Sequence, residues 1–186
     1  MQYKAFENLQ LSALGMGAMR LPVKNGSYAQ IDEAQVCEMV DYALQNGVNY
    51  FDTAYGYHDG QSEIALGKAL SRHPRERWYL ADKFPGYDLS NMGKVEAIFE
   101  EQLKRCGVDY FDFYLFHNVY EKNIGPYQDA KFGILPYLLE QKRNGRIRHL
   151  GFSCHGQYDV LKEFLDNYGE HMEFCQIQLN YLDWDF

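Results

Sequence analysis

Residues 51–63, which read FDTAYGYHDGQSE, decide how the rest of this sequence is interpreted. An apolar approach that includes Phe51 leads to Asp52, which stands at the end of a short predicted strand. Tyr57 follows five residues later in a glycine-containing loop, and a helix-like run from Ile64 to Leu70 comes next. A carboxylate at the carboxyl end of a strand, with a tyrosine in the following loop, is typical of barrel enzymes. We therefore expect partners for these two residues at the other strand ends.

The same pattern of strand and helix repeats along the chain. Apolar runs predict strands at 50–51, 78–81, 110–116, 147–152 and 174–179, after a strand-like lead at 11–16. Apolar residues at helical spacing predict helices at 32–46, 61–70, 91–106, 134–144 and 158–168, with Asp32 as the cap of the first. Residues 3–6 are expected to form one arm of an N-terminal hairpin. Short strands that alternate with amphipathic helices indicate parallel βα units.

Two architectures fit this pattern, an open doubly wound sheet and a (β/α)8 TIM barrel. The doubly wound fold favours a glycine-rich loop after the first strand, but residues 14–17 (LGMG) lack the third glycine, and no helix follows at once. Candidate chemistry after several different strands favours the barrel. We count six strands and five helices, where a barrel has eight of each over about 250 residues. We therefore expect a single domain over residues 1–186, a barrel truncated at its C-terminal side after about six strands.

The composition argues against several classes of protein. The net charge is −8 and no basic stripe offsets it, which argues against nucleic acid as a partner. No run of about 18 apolar residues is present, so we expect no membrane span, and residues 1–20 do not read as a signal peptide. The four cysteines are scattered without a CxxC pair, which fits reduced thiols in the cytoplasm better than disulfides or a zinc site.

Four polar side chains of complementary chemistry follow consecutive predicted strands, namely Asp52, Tyr57, Lys83 and His117. Tyrosine titrates near pH 10 and is a poor acid or base at neutral pH unless its surroundings change it. A lysine ammonium beside the phenol favours the phenolate, a carboxylate can hold that lysine, and an imidazole can orient a substrate carbonyl. Each residue alone has a structural explanation, such as a cap or a core histidine. Together they suit the reduction of a carbonyl by an external hydride carrier.

The chain resembles the aldo-keto reductase family from near its N-terminus to its last residues. The motifs that carry the resemblance are GMGAMRLP (15–22), residues 51–63 with GKAL (67–70), ADK (81–83), DFYLFH (112–117), GFSCHG (151–156) and QIQLNY (176–181). The five-residue spacing from Asp52 to Tyr57, with the lysine and the histidine in order after it, makes the match specific. The resemblance implies a (β/α)8 barrel that reduces aldehydes or ketones with NADP(H), or alternatively with NAD(H).

The resemblance also implies a role for each catalytic residue. Tyr57 would be the general acid, and Lys83 would lower the pKa of its phenol. Asp52 would pair with Lys83 and would also approach the nicotinamide ribose. His117 would orient the carbonyl of a small-molecule substrate.

Three residues are implied as further cofactor contacts. Ser153 and Gln176 match family positions that hydrogen-bond the nicotinamide carboxamide. Cys154 stands where many relatives carry asparagine, so it is assigned to the same set, with His155 as its substitute. No histidine–carboxylate ligand pattern such as HxH is present, so we expect no metal site and rank metal-assisted hydrolysis last.

Parts of the family pattern are not found in these 186 residues. The loops after the last two barrel strands, which hold the pyrophosphate and the 2′-phosphate, would lie beyond them. The subgroup that the chain most resembles often carries a C-terminal cysteine cluster, and we expect no iron–sulfur cluster in this chain. Two alternatives to an active reductase remain. One is a catalytically incompetent fragment that binds nucleotide, and the other is a partial barrel that self-associates through its exposed edges.

Overall fold

An N-terminal hairpin and a curled parallel sheet form the framework of the protein. The computed structural model describes residues 1–180. The hairpin is antiparallel, as predicted, and the six later strands are parallel and lie side by side in chain order, as in part of a (β/α)8 barrel. The strands are β1 (Tyr3–Phe6), β2 (Leu9–Ser12), β3 (Met16–Gly17), β4 (Tyr50–Asp52), β5 (Tyr79–Phe84), β6 (Phe111–Val119), β7 (Ile147–Cys154) and β8 (Phe174–Ile177). The predicted barrel-type fold is confirmed.

Helices connect successive strands from β3 onward and cover the outer face of the sheet. They are α1 (Glu33–Gln45), α2 (Gln61–Leu70), α3 (Val95–Cys106), α4 (Ile124–Gln128), α5 (Ile134–Arg143) and α6 (Tyr158–Tyr168). Asp32 caps α1 as predicted, because its carboxylate accepts a hydrogen bond from the Gln35 N–H at 3.3 Å. No helix within residues 1–180 is long and apolar enough to cross a bilayer.

Some element bounds differ from those predicted from the sequence. The helix predicted from residue 91 begins as a 3-10 turn over Leu89–Lys94 and becomes α-helical only at Val95. The short helix α4 was not predicted, because its sequence IGPYQ contains glycine and proline, which weaken a helical pattern. The predicted strand at 174–179 ends at Ile177, while β5 extends to Phe84.

Alternation along the strands separates an outer core from an inner one. On the outer face, side chains such as Phe51, Leu80 and Phe116 are fully buried in the core that the helices share. On the inner face, Ala81 and Phe113 belong to a smaller apolar cluster. Because adjacent strand residues point to opposite faces, the position of a residue along its strand decides which core it joins.

The N-terminal hairpin covers the end of the barrel where the strands begin. The Phe6 ring lies 5.5 Å from the Phe113 ring and 5.0 Å from the His149 ring, centre to centre. The His149 Nδ1 lies 2.5 Å from one carboxylate oxygen of Glu173, and Lys142 pairs with the other oxygen. The hairpin therefore packs against the inner face near the beginning of the strands, at the opposite end from their carboxyl termini.

Candidate active site

Five polar side chains stand at or near the carboxyl ends of five adjacent strands. Asp52 ends β4, and the other four lie in β5 to β8 in this order: Lys83, His117, Ser153 and Gln176. Each lies an even number of positions along its strand from a side chain of the inner face, and these are, in strand order, Tyr50, Ala81, Phe113, His149 and Phe174. Pleating therefore turns all five toward the inside of the barrel.

The Lys83 ammonium is buried and fully engaged at the base of this group. Its Nζ donates to Asp52 Oδ1 at 2.6 Å and to the Thr53 carbonyl oxygen at 2.7 Å. Burial alone lowers the pKa of Lys83, but the negative charge of Asp52 and the neighbouring Tyr57 outweigh it, so the pKa lies above its ordinary value. Lys83 is therefore a fixed cation at neutral pH.

Tyr57 lies in the 3-10 turn after β4, and its ring is close to two of these side chains. Lys83 Nζ lies 5.2 Å from the centre of the Tyr57 ring, and the His117 ring centre lies 5.9 Å away at an interplanar angle of 82°. Burial raises the pKa of the Tyr57 phenol, whereas Lys83 acts in the opposite direction and Asp52 adds to the rise. The effect of the lysine has the predicted sign, but burial is stronger, so the net pKa is raised. Tyr57 is therefore a neutral phenol, able to donate a proton.

The His117 imidazole is a buried neutral group. Burial lowers the pKa of His117 well below its ordinary value, and the Lys83 cation adds to this effect. The Tyr87 ring packs edge-on against the imidazole with a centre-to-centre distance of 5.1 Å. The His117 Nδ1 is buried and has no hydrogen-bond partner among residues 1–180. Such atoms are rare in native proteins, and a ligand in the adjacent cleft is one way to satisfy this one.

Ser153 and Gln176 line a cleft of about 180 Å³ together with Tyr57, Lys83 and His117. The Ser153 Oγ accepts a hydrogen bond from the backbone N–H of Asn118 at 2.7 Å, which leaves its own O–H free to donate. The Gln176 Nε2 lies 3.5 Å from Asp52 Oδ2. Hydroxyl, amide and imidazole groups thus surround one small polar cavity.

The structure does not bring the Cys154 side chain into this cleft. Cys154 directly follows Ser153 in β7, so pleating turns its side chain toward the outer core, where it is buried. Its Sγ lies 3.9 Å from the Gly156 carbonyl oxygen, and burial raises the pKa of the thiol. His155, the substitute considered from the sequence, does line the cleft.

The structure shows a layer of buried polar groups behind Lys83 that was not predicted from the sequence. The Asp82 Oδ1 accepts the backbone N–H of Lys83 at 2.8 Å, and the Gln102 Nε2 donates to the Lys83 carbonyl oxygen at 3.0 Å and to Glu63 Oε1 at 3.0 Å. Burial raises the pKa of Asp82 well above its ordinary value, and the neighbouring Glu63 adds to this effect. The signal in the sequence was a carboxylate inside an apolar strand, where a charged residue is rarely fully buried without a partner.

The fold and the site together define an incomplete barrel whose ionisable groups gather at one mouth. The model of the Aldo/keto reductase family matches residues 13–185. This chain therefore belongs to the aldo-keto reductase family, as the resemblance predicted.

Individual relatives agree with this assignment. The chain is 30% identical, over an alignment 197 positions long, to an NADH-specific methylglyoxal reductase of Escherichia coli, covering 95% of this chain and 57% of the relative. A solved aldo-keto reductase of Bacillus halodurans, AKR11C1 in its holo form, is 26% identical with a TM-score of 0.72, covering 96% of this chain and 58% of that one. An aldo-keto reductase of Klebsiella pneumoniae in complex with NADPH has a TM-score of 0.73 at 22% identity, covering 94% and 56%. The chain thus spans little more than half the length of these proteins.

Proposed function

We propose that this chain carries the active site of a carbonyl reductase that uses NADP(H), with NAD(H) as the alternative donor. The observation that supports this most directly is the position of the Lys83 ammonium, 2.6 Å from Asp52 Oδ1 and 5.2 Å from the Tyr57 ring centre. A fixed cation beside the phenol stabilises the phenolate that forms when Tyr57 gives up its proton. This is the condition under which a tyrosine can act as a general acid near neutral pH.

In this proposal the aldehyde or ketone becomes an alcohol as NAD(P)H becomes NAD(P)⁺, with uptake of one proton. The reduced nicotinamide, when bound, supplies the hydride that adds to the carbonyl carbon. Tyr57 donates its phenolic proton to the carbonyl oxygen, and solvent later returns a proton to the phenolate. The neutral His117 donates a hydrogen bond to the same oxygen and so orients the substrate. Lys83 stabilises the transient phenolate, and Asp52 holds Lys83 in place.

The residues present suit a nicotinamide. The buried Nδ1 of His117 lacks a partner among the described residues, and the O–H of Ser153 and the amide of Gln176 face the same cleft. A hydroxyl and an amide match the donors and acceptors of a carboxamide. One relative is named as NADH-specific and one neighbour was solved with NADPH, so both nucleotides are candidates.

We also propose that residues 1–186 form a single domain, that the protein is cytoplasmic, that its substrate is a small carbonyl compound and that this chain holds no iron–sulfur cluster. Self-association through the sheet edges is a further proposal, since β3 and β8 each pair on one side within residues 1–180. Sedimentation of the purified chain tests it, and a species of purely monomeric mass would refute it.

The decisive experiment is a titration of the purified chain with NADPH and with NADH, followed by nucleotide fluorescence, and then turnover with methylglyoxal and other carbonyls. We expect saturable binding, and turnover that falls by about 100-fold or more in Tyr57→Phe. Tyr158→Phe, at a tyrosine that is 73% exposed, is the matched control and should be unchanged. Equal turnover in the wild type and Tyr57→Phe would show that Tyr57 is not the acid. Binding without turnover would favour the nucleotide-binding fragment.

A further inference from the structure

His58 is an imidazole that is 1% exposed although it belongs to a turn rather than to a strand or an α-helix. It directly follows Tyr57, and both of its ring nitrogens have backbone partners in the segment after β3. Its Nε2 accepts a hydrogen bond from the Leu21 N–H at 2.9 Å, and its Nδ1 lies 2.6 Å from the Tyr28 carbonyl oxygen. Because one partner is a donor and the other an acceptor, the ring carries its proton on Nδ1.

The backbone of this turn adopts a conformation that needs such anchoring. His58, Asp59 and Gly60 have φ angles of 52°, 54° and 85°, three consecutive residues in the left-handed region. L-residues other than glycine enter this region at an energetic cost, and they remain there only where surrounding contacts impose it. The two backbone contacts of the His58 ring are contacts of this kind.

The segment that receives the His58 ring is itself held in place. The Tyr28 ring stacks on the imidazole at 4.4 Å and an angle of 17°, and a bridge between Val23 and Ile31 closes the loop that carries it. On the other side of the turn, the Ser62 hydroxyl donates to the Ala18 carbonyl oxygen at 2.9 Å. The segment after β3 therefore holds the turn at its first left-handed residue, His58, and again at Ser62, two residues after the last one.

We propose that His58 is a positioning residue that sets the orientation of Tyr57, an inference that rests on the function proposed above. The buried ring fixes the peptide that joins Tyr57 to His58, and this peptide directs the phenol toward Lys83 and His117. His58 is not among the residues that line the cleft with Tyr57. It acts on the reaction only through the placement of Tyr57.

The test compares two variants that both tolerate the left-handed backbone. His58→Gly removes the ring without strain, whereas His58→Asn keeps a side-chain N–H near the position of Nδ1 and can still reach the Tyr28 carbonyl. In His58→Gly we expect kcat to fall by about tenfold or more while KM for the nucleotide stays within about twofold, since small displacements of a reacting group cost rate rather than affinity. His58→Asn should recover part of kcat. His73→Asn, at a histidine that pairs with Asp41 at 2.6 Å, is the matched control and should leave both constants unchanged.

A second measurement does not depend on turnover. The Tyr57 and His117 rings are 5.9 Å apart, so a nuclear Overhauser contact between them is expected in the wild type and should weaken in His58→Gly. If the wild type showed no turnover, the proposed function would fail for this chain while the ring contact alone would still decide the role of His58. An unchanged contact in His58→Gly, together with unchanged kcat where turnover exists, would overturn the proposal. If His58→Gly did not fold, the same two readouts in His58→Ala, which also removes the ring, would decide.

Discussion

The Lys83 ammonium and the Asp52 carboxylate form a buried ion pair at 2.6 Å, with side-chain exposures of only 3% and 12%. Removing two charges from water is costly, and their mutual attraction offsets this cost only when further hydrogen bonds complete the site. Here the Thr53 carbonyl oxygen accepts a second hydrogen bond from Lys83 at 2.7 Å. The ion pair and this second hydrogen bond therefore hold the Lys83 ammonium in place beside Tyr57.

Asp52→Asn should strongly destabilise the protein. The substitution leaves the Lys83 charge buried without a counterion, and breaking such a pair costs about 3–5 kcal/mol. Urea unfolding of both proteins measures the difference in the free energy of unfolding. Glu33→Gln breaks the exposed pair with Lys68 and serves as the control, with an expected change below about 1 kcal/mol. Equal changes in the two variants would contradict the importance of burial.

The free energy of unfolding should fall as the pH decreases from 7 to 5, and His117 should account for part of the fall. Burial keeps the pKa of His117 well below its ordinary value, so the unfolded chain binds a proton in this range and the folded chain does not. Stability therefore rises with pH, and the contribution of one such histidine over these two units is about 2 kcal/mol. Urea unfolding across this range should show a shallower dependence in His117→Asn. Identical slopes would mean that His117 takes up its proton over the same pH range in the folded and the unfolded chain.

Substitution of Gln176 and substitution of Cys154, both predicted to contact the cofactor, should have different effects on nucleotide binding. Gln176→Ala removes an amide that lines the cleft, so the Kd for NADPH should rise by about 2- to 12-fold, the range expected for one neutral hydrogen bond. Cys154→Ala removes a thiol that faces the outer core, so the Kd should stay within about twofold, as no hydrogen bond to the nucleotide is lost. Fluorescence titration measures both values. A large effect of Cys154→Ala alone would show that its side chain turns into the cleft when nucleotide binds.

Gly67→Ala should destabilise the protein although alanine normally favours a helix. A Cβ at Gly67 in α2 would lie 2.3 Å from the Cys106 carbonyl oxygen at the end of α3, and this backbone atom cannot move aside easily. Overpacking of this kind costs about 1–3 kcal/mol. Gly93→Ala, where no atom of residues 1–180 lies within 4 Å of the added carbon, is the control and should not destabilise. Thermal unfolding compares the three proteins, and a Gly67→Ala protein as stable as the wild type would contradict the close approach of α2 and α3.

The order of strands and helices was predictable from the sequence because it depends on local patterns. The helix over residues 61–70 and the helix over 158–168 have the predicted bounds, since apolar spacing and terminal residues act within a few positions. The spacing of Asp52, Tyr57, Lys83 and His117 along the chain also pointed to one mouth of a barrel, because parallel strands bring their carboxyl ends together. The short helix α4 was not predicted, because a run of five residues with glycine and proline shows no clear helical periodicity.

By itself, the sequence determined which residues follow which strand, and hence which side chains were candidates for the site. Only the tertiary structure decided how each of them is oriented and charged. Pleating in β7 turned Cys154 away from the cleft, and burial raised the pKa of Tyr57 against the pull of Lys83. The partners of His58 lie 37 and 30 residues away in the chain, a separation that no local pattern spans. The direction of each side chain, its burial and its long-range hydrogen bonds depend on where distant segments pack. That arrangement exists only in the folded chain.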